Sequence, residues 1–371
     1  MLKVLELFGG IGACSKALER LGINYEIADY VEIDKYAVAS FNAMHNTNFE
    51  PQDICKWDKD IDVDLVMHGS PCQDFSLAGL QAGGDEGSGT RSSLMYETVR
   101  IVEKLKPKYV IWENVKNMIS KKHIHNLNNY LEKMNEIGYT SFYQVLNAKD
   151  YGIPQNRERV FTISIRNDID IDFVFPEKQE LSSTISDFEE YEIDDRFIVK
   201  KALNIKNTKN YIQWSNSGKM QNSQAERAYY ENGLAPTISS SNTNGDKTQI
   251  VTCYKEYTNF YTIPRGSDNK LINGSYNRVW KKDKYVGTIN LTKITEIGQL
   301  TEKGLIIRKL TPKECWRLMG FDDSDFEKAE KVNSNTQLYK QAGNSIVVNV
   351  LEAILDNLLI NNKENKFSDL D

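Results

Sequence analysis

At 371 residues the chain is long enough for a large core and two domains, and it contains no run of about 18 apolar residues, which excludes a membrane-spanning helix. Five scattered cysteines, Cys14, Cys55, Cys72, Cys253 and Cys315, exclude a disulfide framework and a CxxC zinc site. The formal net charge of −6 conceals an asymmetry, because residues 196–321 hold 21 Lys+Arg against 9 Asp+Glu, a local +12, and the remainder holds 25 against 43, or −18.

An acidic body with one basic module suits a protein that grips a polyanion with one part only, although a solvated lysine-rich surface has the same composition. The N-terminus enters a strand pattern directly, without a charged-then-apolar leader, as expected of an intracellular protein. Residues 3–8 predict a strand, Gly9-Gly10-Ile11-Gly12 a glycine turn, and residues 13–22 a helix closed by Gly22. Strand, turn and helix make the opening of a nucleotide-binding α/β sheet, since glycines admit a ligand close to the backbone and a helix N-terminus offers unpaired N–H groups. A second strand, residues 25–31, ends in Glu32, about 20 residues after the turn, where a carboxylate binds ribose hydroxyls. Residues 34–44 predict the next helix. Asp53 falls at a further expected strand end, where it accepts from an adenine amino group or merely starts a turn.

The apolar run 64–67 predicts a short buried strand feeding His68-Gly69-Ser70-Pro71-Cys72-Gln73-Asp74-Phe75-Ser76. Pro71 cannot continue a ladder, so Cys72 is expected where strand gives way to loop, the edge at which open α/β sheets bind ligands. Taken alone, Cys72 reads equally as a small buried cysteine. The glycine-heavy residues 79–91 read as a lid beside a nucleophile or as a plain surface loop. A helix from 93 to 105 stops at Pro107, and the strand 108–112 delivers Glu113-Asn114-Val115, whose carboxyl exchanges a proton at the same edge or caps a turn. After a helix and strand between 124 and 146, the stretch 153–165 sets Arg157 and Arg159 on one strand face, suited to a phosphate or base edge, or else an exposed face balanced by Glu158.

Residues 168–195 carry 11 Asp+Glu against Lys178 alone and mark a junction. Beyond it the chain is rich in Asn, Ser, Lys and Tyr, and predicts a small, basic, mostly β or loop domain. Its aromatics interleaved with cations at 254–261 and 276–282 suit phosphates and bases, and ordinary strand cores as well. Thr311 and Pro312 open a helix to Gly320 as cap and first residue. Gln341-Ala342-Gly343-Asn344-Ser345 then leads into the apolar helix 346–360, able to pack back on the N-terminal sheet.

In this order and spacing the motifs resemble those of the DNA (cytosine-5)-methyltransferases of bacterial or phage type, from end to end. The resemblance implies S-adenosylmethionine held by Phe8, Gly9, Gly10, Ile11, Gly12, Glu32, Ile33, Asp53, Ile54, Asn344 and Ser345. It implies catalysis by Cys72 after Pro71 in Pro71-Cys72-Gln73, by Glu113 in Glu113-Asn114-Val115, and by Arg159 in Gln155-Asn156-Arg157-Glu158-Arg159. DNA contacts fall to Gln73, Ser76, Arg91, Arg157 and Thr237, the last in a short threonine motif with Ile238; no metal is called for. The implied fold is α/β, a Rossmann-like mixed sheet flanked by helices as in S-adenosylmethionine-dependent methyltransferases, with a smaller mostly β or irregular target-recognition domain. The domains expected are 1–190 for catalysis and cofactor, 196–325 for target recognition, and 326–371 returning to the first.

The implied function is methylation of cytosine carbon 5 in a short specific sequence of double-stranded DNA, by base flipping and a covalent Cys72 adduct. The expected setting is a monomer in the bacterial cytoplasm, from a cellular or phage gene, with a cognate restriction endonuclease acting separately. Rival readings are a tRNA cytosine-5 methyltransferase, a catalytically silent DNA-binding relative, and a Rossmann dehydrogenase, which leaves Cys72, Glu113 and Arg159 unexplained. An adenine-N6 methyltransferase lacks support because no Asp/Asn-Pro-Pro-aromatic tetrad occurs. Two features depart from the family pattern: Gly9-Gly10 stands where many relatives carry an alanine, and the stretch 237–308 is longer than in compact bacterial relatives, so recognition residues do not transfer by position.

Overall fold

The first strand, β1 (Leu2–Leu7), is buried along its last four residues, as befits a strand covered on both faces. A computed structural model describes residues 1–70, 94–197, 203–207, 211–215, 227–230, 233–238, 249–253 and 305–361. Pro71, Cys72, Gln73, Ser76 and Arg91, the lid residues 79–91 and the aromatic-cationic stretches 254–261 and 276–282 lie outside them. The chain forms two compact units, Met1–Leu181 with Trp316–Asp371, and Ser182–Cys315. From sequence the lines fell instead at 190–196 and at 325/326.

In the first unit β1 is followed by α1 (Ala13–Arg20), β2 (Tyr25–Val31), α2 (Lys35–His45), β3 (Leu65–His68), α3 (Met95–Leu105), β4 (Tyr109–Val115), α4 (Ile124–Glu136), β5 (Tyr139–Asn147) and β6 (Glu158–Arg166). They form a six-stranded sheet in the order β2-β1-β3-β4-β6-β5, the first four parallel and β6 antiparallel to both neighbours. The expected mixed α/β sheet is therefore present. Strand order reverses about β1, with β2 on one side and β3 on the other. The ends of β1 and β3 thus flank a topological switch point, the crevice where open α/β sheets take ligands.

No strand ends at Asp53. It caps a three-residue 3-10 helix, Ile54–Lys56, with its carboxylate accepting from Cys55 N at 3.1 Å.

Among the described residues the second unit holds a five-stranded sheet of β7 (Leu203–Asn207), β8 (Tyr211–Ser215), β9 (Arg227–Tyr230), β10 (Gln249–Cys253) and β11 (Leu305–Lys309), adjacent in chain order and antiparallel except for β9 and β10. Within β11 Arg308 is fully buried, and both its terminal nitrogens meet Glu314 at 2.7 Å, a bidentate pair that satisfies two charges at once. Helix α5 (Pro312–Arg317) opens with a capping box: Glu314 N donates to Thr311 Oγ1 at 3.1 Å and Thr311 N to Glu314 at 2.8 Å. The expected cap and first residue are in place at Thr311 and Pro312, but the helix stops at Arg317, and a turn to Gly320 at φ +85° follows.

The chain then re-enters the first unit as α6 (Asp323–Ala329), α7 (Asn335–Asn344) and α8 (Val348–Asp356). Asn335–Asn361 is long and apolar enough to cross a membrane by composition, at a mean hydropathy of 1.4, contrary to the expectation that no stretch qualifies. Half of it is buried, and α8 packs on α1 through a face that includes Val348, Leu351, Ile354 and Leu355. Each such side chain contributes about 1.5–3 kcal/mol on burial, so the apolar stripe is accounted for as core. Lys16, only 4% exposed, reaches Asp322 at 2.7 Å and Asp325 at 3.0 Å, fastening α1 to α6. Burial alone would lower its pKa, but the two carboxylates outweigh that and raise it to about 12.

Candidate active site at the carboxyl edge of the sheet

Beyond β1 the backbone turns sharply. Phe8 is held at φ +53°, a strained setting for a bulky residue, and Gly10 and Gly12 are also left-handed. A Cβ on Gly9 would stand 2.6 Å from the Tyr30 ring, and one on Gly12 would meet Phe41 and His45 at 2.7 Å, so both glycines are enforced by packing. At Gly10 nothing lies within 4 Å of that position. Tyr30 donates its hydroxyl to the Gly10 carbonyl at 2.6 Å, while Gly10 N and Asp34 N donate to Glu32 at 3.1 and 2.8 Å. Burial raises the Glu32 pKa above the usual carboxylate range. Beneath the turn, buried Glu6 accepts from Ser15 N at 3.0 Å and from the Ser15 hydroxyl, and burial brings its pKa to about 7.

Ile33 is 70% exposed beside Glu32, whereas Ile11 and Ile54 are buried and their side chains fill the core. The N-cap of α1 is Gly12, which has no side chain to cap the helix; the Glu6 carboxylate takes that place through Ser15 N.

At the neighbouring strand ends, Glu113 on β4 and Arg159 on β6 form an ion pair with Nε and Oε1 2.9 Å apart, both mostly buried. A Cβ on Gly69, just past β3, would stand 3.8 Å from the other Glu113 oxygen and 3.7 Å from Ile346. One site thus gathers Gly69, Glu113, Arg159 and the start of the closing segment. Arg157, expected to contact DNA, has its side chain engaged within the protein. It is 4% exposed, and its Nη2 donates to the carbonyls of Gly343 at 3.1 Å and Ser345 at 2.7 Å. It thereby holds the C-terminal end of α7, where Asn344 is exposed and Ser345 buried. Gln155, the first residue of the same motif, is buried with its amide on the Leu318 carbonyl at 2.8 Å. Thr237 belongs to the second unit and is half-buried.

The family model for C-5 cytosine-specific DNA methylases matches residues 2–359. This chain belongs to that family. Among curated relatives, the orphan methyltransferase M.SPBetaI of Bacillus phage SPbeta is 31% identical over 96% of this chain and 97% of its own. The type II methyltransferase M2.ScrFI of Lactococcus lactis subsp. cremoris is 33% identical over 96% and 99%, and the type II methyltransferase M.HhaI of Haemophilus parahaemolyticus 33% over 96% and 94%. Among solved structures, the S. pombe Dnmt2 methyltransferase superposes with a TM-score of 0.64 over 97% of this chain and 98% of its own, at 18% identity, a likeness of fold.

The methylase's site also contains residues that motif reading passed over. Tyr30 and Glu6 brace the glycine turn, and Trp112 and Asn114 hold Ser70. Asn114 lay within a recognised motif; for Tyr30 and Trp112 no local pattern distinguishes a brace from a core aromatic.

Proposed function

We propose that this methylase transfers a methyl group from S-adenosylmethionine to carbon 5 of cytosine in a short specific sequence of double-stranded DNA, with Cys72 as nucleophile and Glu113 and Arg159 acting on the base. The observation that carries the reading is the Glu113–Arg159 pair at the sheet edge shared with Gly69 and Ser70, two residues ahead of Cys72. The residues around β1 and β2 fit a nucleoside with a charged tail: an open Gly10, the Glu32 carboxylate and the exposed Ile33. When bound, S-adenosylmethionine supplies an electrophilic methyl group on a positively charged sulfur. Phe8, Gly9, Gly10, Ile11, Gly12, Asp53, Ile54, Asn344 and Ser345 complete its proposed surroundings.

Carbon 5 of cytosine is a poor nucleophile. Addition of the Cys72 thiolate to carbon 6 forms a C–S bond and turns the ring into an enamine, with electron density moved to nitrogen 3 and carbon 5. Glu113 offsets that charge by donating a proton to ring nitrogen 3 and takes it back when Cys72 leaves, help typically worth about 10²–10⁴-fold. Arg159 holds Glu113 in place and adds a positive potential that favours the Cys72 thiolate. Once carbon 5 carries the methyl group, a base takes its proton, the ring double bond re-forms and Cys72 leaves as thiolate. This attack is out of reach inside a stacked duplex, so the cytosine is flipped out, with Gln73, Ser76 and Arg91 closing on the DNA. The second unit, with Thr237 and most of the basic residues of the stretch 196–321, takes the target-recognition role. We expect a monomer in the bacterial cytoplasm, from a cellular or phage gene, whose marks a separate restriction endonuclease respects.

The test is Cys72→Ala. We expect DNA binding to persist and turnover to vanish; methylation at the wild-type rate would remove the nucleophile assignment. DNA left unmarked while tRNA is labelled would transfer the same chemistry to RNA.

A further inference from the structure

A buried polar cluster stands behind the chain just ahead of the nucleophile motif, and the chemistry above does not use it. His68, which ends β3, is fully buried; its ring lies 2° from parallel to that of Trp112, centroids 5.7 Å apart, and its Nε2 is 3.2 Å from the Tyr130 hydroxyl on α4. Ser164 hydrogen-bonds Tyr130 in turn and meets Ser141 at 2.7 Å. Trp112 Nε1 donates to Ser70 Oγ at 2.9 Å, and Asn114 Nδ2 to the Ser70 carbonyl at 3.4 Å. Side chains alternate across a strand, so His68 and Ser70 meet Trp112 and Asn114 on one face while Gly69 meets Glu113 and Ile346 on the other. The chain at 69–70 is thereby fixed from both faces of the sheet. His68 stays uncharged, because burial pulls its pKa to about 3.

Packing does not require this arrangement, since a phenyl ring fills a core without a donor to satisfy. A reacting atom misplaced by about 1 Å loses on the order of 10²-fold in rate. We propose that Trp112 and Ser70 are positioning residues for Cys72: the indole N–H holds the Ser70 hydroxyl and sets the direction in which the chain leaves β3 toward Pro71 and Cys72. His68 and Tyr130 form the platform that keeps the indole in register. This rests on Cys72 being the nucleophile.

The test compares Ser70→Ala, Ser70→Thr, Trp112→Phe, the double variant Ser70→Ala/Trp112→Phe and Cys72→Ala. Each is assayed for kcat, for KM of DNA and cofactor, for thermal midpoint, and for the rate of covalent complex formation with DNA containing 5-fluorocytosine, whose fluorine cannot leave as a proton does. We expect Ser70→Ala and Trp112→Phe each to lower kcat and adduct formation about tenfold or more with both KM values unchanged. The double variant should be no slower than the slower single one, because one bond is lost in each, and Ser70→Thr should restore the rate. Ser70→Ala at the wild-type rate, with Cys72→Ala silent, would overturn the positioning role alone. So would losses that multiply in the double variant, or a rise in KM at constant kcat. An active Cys72→Ala would overturn the nucleophile assignment and this proposal with it.

Discussion

Glu113 and Arg159 meet because β4 and β6 run antiparallel. Val115 stands opposite Arg159, and Glu113, two residues back on the same face, takes the diagonal contact. In Glu113→Gln the Arg159 cation faces a neutral amide; we expect turnover to fall about 10²-fold or more with little change in cofactor affinity, measured by steady-state kinetics. The glycine turn separates packing from binding. Gly9→Ala drives a methyl into the Tyr30 ring and should cost about 1–3 kcal/mol of stability by urea titration, whereas Gly10→Ala meets only open space and about 1–2 kcal/mol of backbone strain, so its larger effect should be on cofactor affinity. At this scale the turn, Glu32 and the strand-end Glu113 were legible, because each is fixed by a short spacing. The burial of Arg157 and the Trp112–Ser70 bond were not: a periodic pattern says which face a residue is on, not where a long side chain ends.

Elements with a period were legible. The strand 25–31 has the expected limits, and α2 begins just after Asp34, which caps it by accepting from Tyr36 N at 2.9 Å. Asp53 was misplaced because a three-residue 3-10 helix has no period, and an acid that caps it looks like an acid at a strand end. The junction of β1 and α1 also carries a pH dependence. Glu6 titrates near 7 in the folded chain, against 4.5 for an unperturbed carboxyl, because burial penalises its charged form. Between those values the folded chain keeps a proton that the unfolded chain has released, so this stabilisation is present below about pH 4.5 and is lost as pH rises through about 7. Glu6→Gln should therefore gain on the wild type by up to ~3 kcal/mol between pH 4.5 and pH 8 in urea titrations. A difference that stays flat with pH would contradict this origin. Groups shifted the other way, such as His68, cancel in the comparison.

Across the whole molecule the chain leaves the first unit at 181/182 and re-enters it at 315/316. The return was legible in the apolar stretch 346–360, whereas the order β7 to β11 was not, since short strands without alternation do not reveal their partners. Lys16 joins the two ends of the first unit. Lys16→Met leaves Asp325 buried without its cation and should cost about 3–5 kcal/mol, with faster hydrogen exchange in α6 than in β4. We expect residues 196–321, at +12 against −18 elsewhere, to carry the affinity for a polyanion. The most direct measurement is base-resolution methylation mapping of unmethylated DNA incubated with the purified protein and S-adenosylmethionine. We expect 5-methylcytosine at one short motif and nowhere else; DNA left unmarked under conditions where the protein binds it would contradict the proposed activity.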